Sequence, residues 1–252
     1  NITYPIDPVQ GLDNAQRGIL IHEIMSRIWN TLRHSIALKR KTDQELDLLI
    51  DKTTTATFLN YISRFESLKS NNLFALEKNR VKKLIKDWLQ LETQRGPFEV
   101  IHTEKKTKIK LGELSFCLAI DRIDQIGQKS FVIDYKTGTL SPARWNDERL
   151  LDPQFPAYLL SVEPHADGLA YAQLKAGDLR WIGQSSIDLD MRLEEIKDWS
   201  GQLNNWKEKL MNLANEFEAG DISFVFHDKN RFKHQEFLLP VNRWPELPLI
   251  TE

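Results

Sequence analysis

The hydrophobic pattern of this chain changes its period at Gly96-Pro97, and this change constrains the fold more than any other feature of the sequence. Before it, apolar residues recur at the three- and four-residue spacing of an amphipathic helix. The clearest stripe consists of Ile21, Ile24, Met25, Ile28 and Leu32. After it, apolar and polar residues alternate, which indicates strands, and a long helical pattern returns near the end. A chain that runs helices, then a sheet, then helices is an α/β or α+β domain.

Local signals place the individual elements. Asp13 and Gln16 have the spacing of a capping box, which predicts the start of the first helix. Further helices are predicted over residues 43–69, 73–92, 153–162 and 189–218, the last one ended by Gly220. Two or three antiparallel strands are predicted over residues 98–110, 115–124 and 131–136, and a hairpin over 168–175 and 179–184.

We expect one domain over residues 1–252, and the missing initial Met suggests a piece of a longer protein. Its helical part is expected at residues 1–95, its sheet core at 96–185, and a C-terminal helix and tail at 186–252. The tail from Asp221 has a mixed pattern that predicts no element.

Composition excludes several classes of protein. No apolar run approaches the roughly 20 residues that span a bilayer, and no signal peptide is visible, so we expect no membrane partner and a cytoplasmic location. The single cysteine, Cys117, excludes a disulfide scaffold, a cysteine-based zinc site and an iron–sulfur cluster held within this chain. The net charge of −2 hides a basic segment, because residues 69–110 contain eleven Lys or Arg against five Asp or Glu. A polyanionic partner therefore stays possible.

The predicted strand at residues 131–136 ends by placing a carboxylate beside an ammonium group. Side chains alternate along a strand, so Asp134 and Lys136 share a face. Asp121 lies in the preceding strand, and pairing of the strands would bring it beside Asp134. Two carboxylates so close repel each other unless one is protonated or a cation lies between them, and a hard divalent cation such as Mg²⁺ prefers this arrangement. A plain salt bridge is the alternative for Asp134 and Lys136, and Asp124 is expected at the surface.

Two helices add candidate groups. His22 lies about 100° from the centre of the apolar stripe of the first helix, where it is either a histidine bonded to the core or a metal ligand. Its combination with two aspartates and a lysine favours the ligand. Gly18, one turn earlier, costs the helix roughly 1 kcal/mol relative to Ala, so another backbone or a ligand is expected to approach it closely. Gln154 and Tyr158 share a helix face and can donate hydrogen bonds to phosphate or base.

The order of these residues resembles that of the RecB-like nuclease domains, a group of the PD-(D/E)xK superfamily that includes AddB and Cas4. The matching segments are Gly18 to His22, Ala119 to Asp124, Ile133 to Lys136 and Gln154 to Tyr158. The resemblance implies an α/β restriction-endonuclease-like core, with a central mixed sheet flanked by helices, and Mg²⁺ or Mn²⁺ as cofactor. It also implies cleavage of DNA, as an exonuclease rather than an endonuclease, in a repair or recombination protein with a helicase domain or subunit.

The resemblance also implies roles for single residues. Asp121, Asp134 and His22 would be metal ligands together with the Tyr135 backbone carbonyl, and Lys136 would be the catalytic lysine. Gln154 and Tyr158 would form the helix motif that meets DNA, and Glu104 occupies a position where such domains often carry an acid. Independently of the resemblance, basic residues on and after the sheet are either phosphate contacts or a solvated face. They are Lys105, Lys106, Lys108, Lys110 and Arg144.

Two departures accompany the resemblance. Ile120 stands where the superfamily's name places Pro, as in the RecB-like branch, and the four cysteines that hold an iron–sulfur cluster in many relatives are missing. Trp244 and the run 238–240 are candidates to close the fold instead. Two other classes of function stay open: a catalytically inactive DNA-binding or scaffolding module, and a Mg²⁺ enzyme that acts on small phosphates. A glycine-rich GxxxxGK[ST] loop is absent, which counts against a nucleoside triphosphatase.

Overall fold

The computed structural model describes residues 11–140, 145, 149–150, 152–162, 166–187 and 190–220. Within them the helices are α1 (Asn14–Leu32), α2 (Ser35–Lys39), α3 (Asp43–Tyr61), α4 (Asn71–Glu92), α5 (Gln154–Ser161) and α6 (Trp199–Glu218), with a 3₁₀ turn at Glu66–Lys69. The strands are β1 (Glu99–Leu111), β2 (Leu114–Ile126), β3 (Lys129–Lys136), β4 (Gly168–Lys175), β5 (Asp178–Ser185) and β6 (Glu194–Glu195).

These strands form one sheet in the order β1-β2-β3-β4-β5-β6. β1, β2 and β3 are antiparallel neighbours, β3 and β4 are parallel, β4 and β5 form an antiparallel hairpin, and β5 and β6 are parallel. The sheet is therefore mixed. With helices packed on both of its faces, it confirms the predicted restriction-endonuclease-like α/β fold.

Two capping boxes explain where α1 and α3 begin. The Asp13 carboxylate accepts the Gln16 N–H at 2.7 Å while the Gln16 side chain accepts the Asp13 N–H at 3.2 Å, as the spacing predicts. Thr42 and Glu45 form the same reciprocal pair at the start of α3. Each box satisfies two backbone donors that the first turn of a helix leaves without partners.

Two hydrophobic clusters lie on opposite faces of the sheet. Because side chains alternate along β3, Ile133 and Tyr135 pack toward the layer formed by α1, α3 and α4, which we call the helical layer. Val132 packs toward α5 and α6, where Phe155 and Trp206 are completely buried. Both faces of β3 are thus covered by apolar side chains over most of its length, so a polar residue in this strand needs a specific partner.

The prediction for the last helix is wrong at its start, because α6 begins at Trp199 rather than near residue 189. Asp190 and Arg192 have φ angles of 55° and 54°, a left-handed conformation that no helix continues through. Asp198 accepts the Gly201 N–H at 2.9 Å and so caps the helix ten residues later than predicted. The helix predicted over residues 43–69 likewise stops at Tyr61 and is followed by the 3₁₀ turn.

The chain divides into two compact units, Asn1–Asn215 and Glu216–Glu252. Of the second unit the structure describes residues 216–220, where α6 ends before Gly220 as predicted, and Gly220 has a positive φ of 67°. The tail from Asp221, including Trp244 and the run 238–240, lies outside the described residues. None of the described helices is long and apolar enough to cross a membrane.

Candidate active site

The candidate site lies where β2 and β3 stop pairing. Their register ends at the pair of Arg122 and Ile133, one residue before Asp121. From there the Asp121 carboxylate occupies the opening between the strands, and its Oδ2 accepts the backbone N–H of Tyr135 at 2.7 Å. A side chain thus replaces a backbone partner in the ladder, which fixes Asp121 with 7% of its surface exposed.

The alternation of side chains is broken at the same place. Ile120 packs on the α5 side of the sheet, whereas the Arg122 guanidinium, two residues later, lies 4.0 Å from the Trp29 ring centre in the helical layer. In a regular strand these two residues would share a face. On β1, Glu104 lies opposite Asp121 by the register on either side and has a φ of 50°, which is uncommon for a residue other than glycine. This irregularity turns the Asp121 carboxylate toward β3.

His22 arrives at this carboxylate from α1. Its Nδ1 lies 3.2 Å from Asp121 Oδ1, and the imidazole is 31% exposed. Burial by itself would lower the pKa of His22, but the hydrogen bond and charge of Asp121, the charge of Asp134 and a hydrogen bond to the Tyr135 backbone raise it above its usual range. The imidazole, one carboxylate and the Tyr135 backbone thus lie together, and their role as metal ligands, which the resemblance implies, stays a prediction.

Asp134 lies on the other face of β3, next to Val132, and is 1% exposed. Its Oδ2 is 2.7 Å from Lys136 Nζ, yet this buried oxygen has no hydrogen bond of good geometry from the described residues. Burial and the charge of Asp121 raise the pKa of Asp134, and Lys136 and His22 only partly oppose this. A carboxylate pair that resists full ionisation is an arrangement that a cation would stabilise.

Lys136 connects the carboxylates to α5. Its Nζ donates to Gln154 Oε1 at 2.8 Å, and Gln154 Nε2 donates to the Tyr158 hydroxyl at 2.5 Å. The ammonium also lies 5.1 Å from the ring centre of Tyr171, which is completely buried and donates to Asp152 at 2.9 Å. Burial and the charges of Asp134 and Asp121 raise the pKa of Tyr158, so its hydroxyl keeps its proton. Gln154 and Tyr158 thus hold the lysine, and their contact with DNA stays a prediction.

A cavity of about 490 Å³, which we call the catalytic cavity, lies beside His22 and Lys136. His22, Glu104, Tyr135 and Lys136 line it, with Gly18 and Thr137 on its wall. Partial burial and the neighbouring Asp121 raise the pKa of Glu104, so this acid belongs to the same electrostatic cluster.

Gly18 does not accommodate another backbone, which was one of the two expectations. A Cβ at this position would have Thr137 Oγ1 as its nearest neighbour at 3.6 Å, an ordinary contact. The space beside Gly18 belongs to the catalytic cavity.

The lysines of β1 that are predicted to contact phosphate lie on two different faces of the strand. Lys105 is half-buried and lies on the same face of β1 as Thr107, whose hydroxyl donates to the Ser161 carbonyl of α5 at 3.0 Å. Lys106, Lys108 and Lys110 are exposed and lie on the opposite face. Arg144 lies outside the described residues.

Asp124 is completely buried, so its expected place at the surface is wrong. Arg122 donates to Asp124 at 2.6 and 2.8 Å and to Glu92 of α4 at 2.7 and 3.2 Å, and Arg95 donates to both acids at 2.9 Å. Arg122 also lies 3.1 Å from the Tyr135 hydroxyl, so this buried ion network holds the residue whose backbone binds Asp121. An arginine inside an apolar strand signals such a partner, because burying an unpaired charge is costly, but the sequence does not indicate Glu92.

The chemistry of the candidate donors, two carboxylates and a backbone carbonyl, is the kind that a hard divalent cation prefers. Within the described residues, no group of three or more His, Cys, Asp or Glu side chains converges in a metal-binding arrangement. The carboxylate oxygens of both aspartates have protein partners instead. Asp121 contacts His22 and the Tyr135 N–H, and Asp134 contacts Lys136. A cation would take the place of Lys136 as the partner of Asp134, whose buried oxygen lacks a well-formed hydrogen bond.

Comparison with known proteins places the chain in one family. The family model described as PD-(D/E)XK nuclease superfamily matches residues 4–229. No curated protein matches the chain. Among solved structures, "Crystal structure of SSO0001" is 15% identical in sequence and aligns over 93% of this chain and 97% of that chain, with a TM-score of 0.31. At that TM-score the likeness carries no weight for the fold or the function.

Proposed function

The chain belongs to the PD-(D/E)XK nuclease superfamily, and on that premise we propose that it hydrolyses DNA phosphodiester bonds with Mg²⁺ or Mn²⁺ bound at Asp121 and Asp134. The observation that carries the proposal is the buried Asp134, whose pKa is raised by burial and by Asp121, beside an ammonium group at the edge of the catalytic cavity. Carboxyl groups with strongly shifted pKa values cluster at functional sites, which supports this assignment.

In the proposed site, Asp121, Asp134, His22 and the Tyr135 carbonyl hold the cation. When bound, a divalent ion neutralises phosphate charge and lowers the pKa of a coordinated water. The backbone N–H of Tyr135 keeps the Asp121 carboxylate oriented, and the buried ion network keeps Tyr135 in place through its hydroxyl. These contacts fix the ligands before substrate arrives, which reduces the reorganisation that catalysis requires.

Lys136 acts from a fixed position. Its Nζ donates a hydrogen bond to Gln154 Oε1, and Gln154 in turn donates to the Tyr158 hydroxyl. The ammonium also lies beside Asp134 at the catalytic cavity. From there Nζ can orient the attacking water or stabilise the negative charge that develops on a phosphate oxygen. Removing it should lower turnover more than it weakens DNA binding.

We further propose that the chain is the exonuclease module of a helicase-associated repair or recombination protein. Support comes from the order of residues from Gly18 to Tyr158, which resembles that of RecB-like domains. The inactive scaffolding module is the competing function, and the test below separates the two.

The test is degradation of end-labelled single- and double-stranded DNA with Mg²⁺, Mn²⁺ or EDTA. We expect metal-dependent cleavage by the wild type and a loss of at least about 100-fold in Asp134→Asn and Lys136→Gln, the usual scale for removing a group that acts in the transition state. Lys207→Gln, an exposed change on α6, is the matched control and should cleave normally. DNA binding without cleavage in every metal would overturn the nuclease and favour the scaffold.

A further inference from the structure

We propose that a second cavity, adjoining the catalytic cavity, binds one nucleotide of a single DNA strand next to the scissile phosphate. This flanking cavity has a volume of about 330 Å³ and lies among α1, α4 and the β4–β5 turn. The inference rests on the proposed nuclease function and adds to it the state in which DNA is bound.

The two cavities adjoin each other. Asn14, in the first turn of α1, and Thr137, directly after Lys136, line both of them. A strand whose phosphate lies at Lys136 therefore has a neighbouring cavity within reach of its next residues. Asn14 is exposed, and the Thr137 hydroxyl oxygen would be the nearest neighbour of a Cβ at Gly18, at 3.6 Å.

The flanking cavity has an apolar floor. Its buried or half-buried floor residues are Ile21, Val81, Leu84, Leu174 and Leu179. A pocket with apolar walls and a few polar groups at its edge is typical of small-molecule sites, which occupy about 300–1,000 Å³. The volume here lies at the lower end of that range and suits one nucleotide.

The rim of the cavity is basic. Arg17, Arg80, Lys83 and Lys175 line it, and Asp87, 3.1 Å from Lys83, is the one acid among its described lining residues. Arg17 and Arg80 both contact the buried Glu77 behind the rim, at distances of 3.2 and 3.3 Å. Lys83 is 79% exposed, and Lys175 donates to the Thr139 hydroxyl and contacts no carboxylate within the described residues. An apolar floor under a cationic rim is complementary to a base attached to its phosphate.

The apolar floor determines the state of the DNA. In a duplex the bases are stacked and paired inside, and a pocket cannot reach them unless one is unstacked. Single strands offer bases that splay out and bind apolar or aromatic surfaces without regard to sequence. The occupant is therefore a single strand or a frayed end.

The test measures binding of a fluorescent single-stranded oligonucleotide by anisotropy in EDTA, so that neither cleavage nor metal enters the result. Each lost phosphate contact should reduce affinity about fivefold at 0.1 M salt and flatten the slope of log K against log[salt] by about 0.7. The double variant Lys83→Gln/Lys175→Gln should lose about 25-fold, with a slope change of about 1.4. Both side chains are exposed, so folding should persist, and Lys207→Gln should bind like the wild type.

A second arm tests the floor. One abasic residue moved stepwise along the oligonucleotide should weaken binding to the wild type about fivefold or more at one position, the scale of one stacked base. Ala176→Trp fills the cavity from the exposed turn and should remove this position dependence.

The outcomes separate the two proposals. If the wild type cleaves DNA but the lysine variants keep its affinity and salt slope, the flanking cavity is overturned and the nuclease stands. If the variants lose affinity as expected but the wild type cleaves nothing, the nuclease is overturned and the binding site stands. Equal affinity for a blunt duplex and a single strand, with no abasic effect, would also overturn the cavity.

Discussion

Replacing Glu92 with Gln tests the energy of the buried ion network. The Glu92 carboxylate is completely buried and accepts from Arg122, from Arg95 at 2.9 Å and from the Trp88 indole at 3.0 Å. The substitution keeps the shape but leaves two guanidinium groups with one remaining acid, Asp124, so the network changes from neutral to a charge of +1. Removing one partner of a buried pair costs about 3–5 kcal/mol of unfolding free energy. That is a large share of the roughly 5–15 kcal/mol typical of a folded protein.

The loss should depend on pH in a defined direction. Burial by itself would raise the pKa of Glu92, but the charges of Arg122 and Arg95 outweigh it and lower the pKa below its usual value of 4.5. A carboxyl group with a lowered pKa in the folded state stabilises fully above that usual value and loses its contribution as the pH falls through the lowered one. The difference between wild type and Glu92→Gln should therefore be complete at pH 7 and shrink below about pH 4.

Urea unfolding followed by tryptophan fluorescence measures both effects. The control is Glu66→Gln, because Glu66 lies 2.5 Å from Lys69, closer than any ion pair of the network, while its side chain is 85% exposed. An exposed pair contributes at most about 1 kcal/mol. Equal losses for the two variants, or a Glu92→Gln difference that is constant from pH 7 to pH 3, would refute the reasoning.

Three further predictions concern the site and the sheet. Asp134→Asn should raise the melting temperature of the metal-free protein by about 2–4 °C, because removing the buried charge should raise the free energy of unfolding by about 1 kcal/mol. Calorimetry measures this, and no rise would indicate a structural role for Asp134. Gly18→Ala should leave the free energy of unfolding in urea unchanged or raise it by up to about 1 kcal/mol, yet raise KM. Gly183→Ala should lower the free energy of unfolding by about 1–3 kcal/mol or more, because its Cβ would lie 2.0 Å from the Leu169 carbonyl oxygen. Tyr158→Phe removes the hydroxyl that accepts from Gln154, and we expect kcat to fall about tenfold with little change in KM. A rise in KM with unchanged kcat in steady-state assays would contradict this.

Short-range signals in this sequence predict local structure well. The capping box at Asp13 and Gln16 and the five main strands depend on interactions between residues close in sequence, and the structure confirms them within a few positions. The contact of Asp134 with Lys136 likewise follows from alternation along one strand. Each of these predictions needs only the spacing of residues within a single element or turn.

Long-range contacts explain what the sequence could not predict. The left-handed conformation of Glu104 and the broken alternation at Asp121 arise together, across two strands, and no periodicity in either strand shows them. The short strand Glu194–Glu195 exists because β5 offers it a backbone partner, although its residues favour helices. Glu92 joins Arg122 across 30 residues of chain, so its partner is visible only after the helical layer packs on the sheet.

Asp121 and Asp124 lie three residues apart in one strand, and their surroundings give them different functions. Asp124 has a guanidinium group at each oxygen, at distances of 2.6 to 2.9 Å, so its charge is compensated inside the fold and needs nothing from solution. Asp121 has a backbone N–H and an imidazole, and its charge still raises the pKa of Asp134, an effect that Lys136 and His22 only partly oppose. A buried acid whose charge the protein leaves partly uncompensated is costly to keep unless a ligand completes it. The compensation of each carboxylate, rather than its burial, therefore separates the structural aspartate from the two that we propose bind a cation.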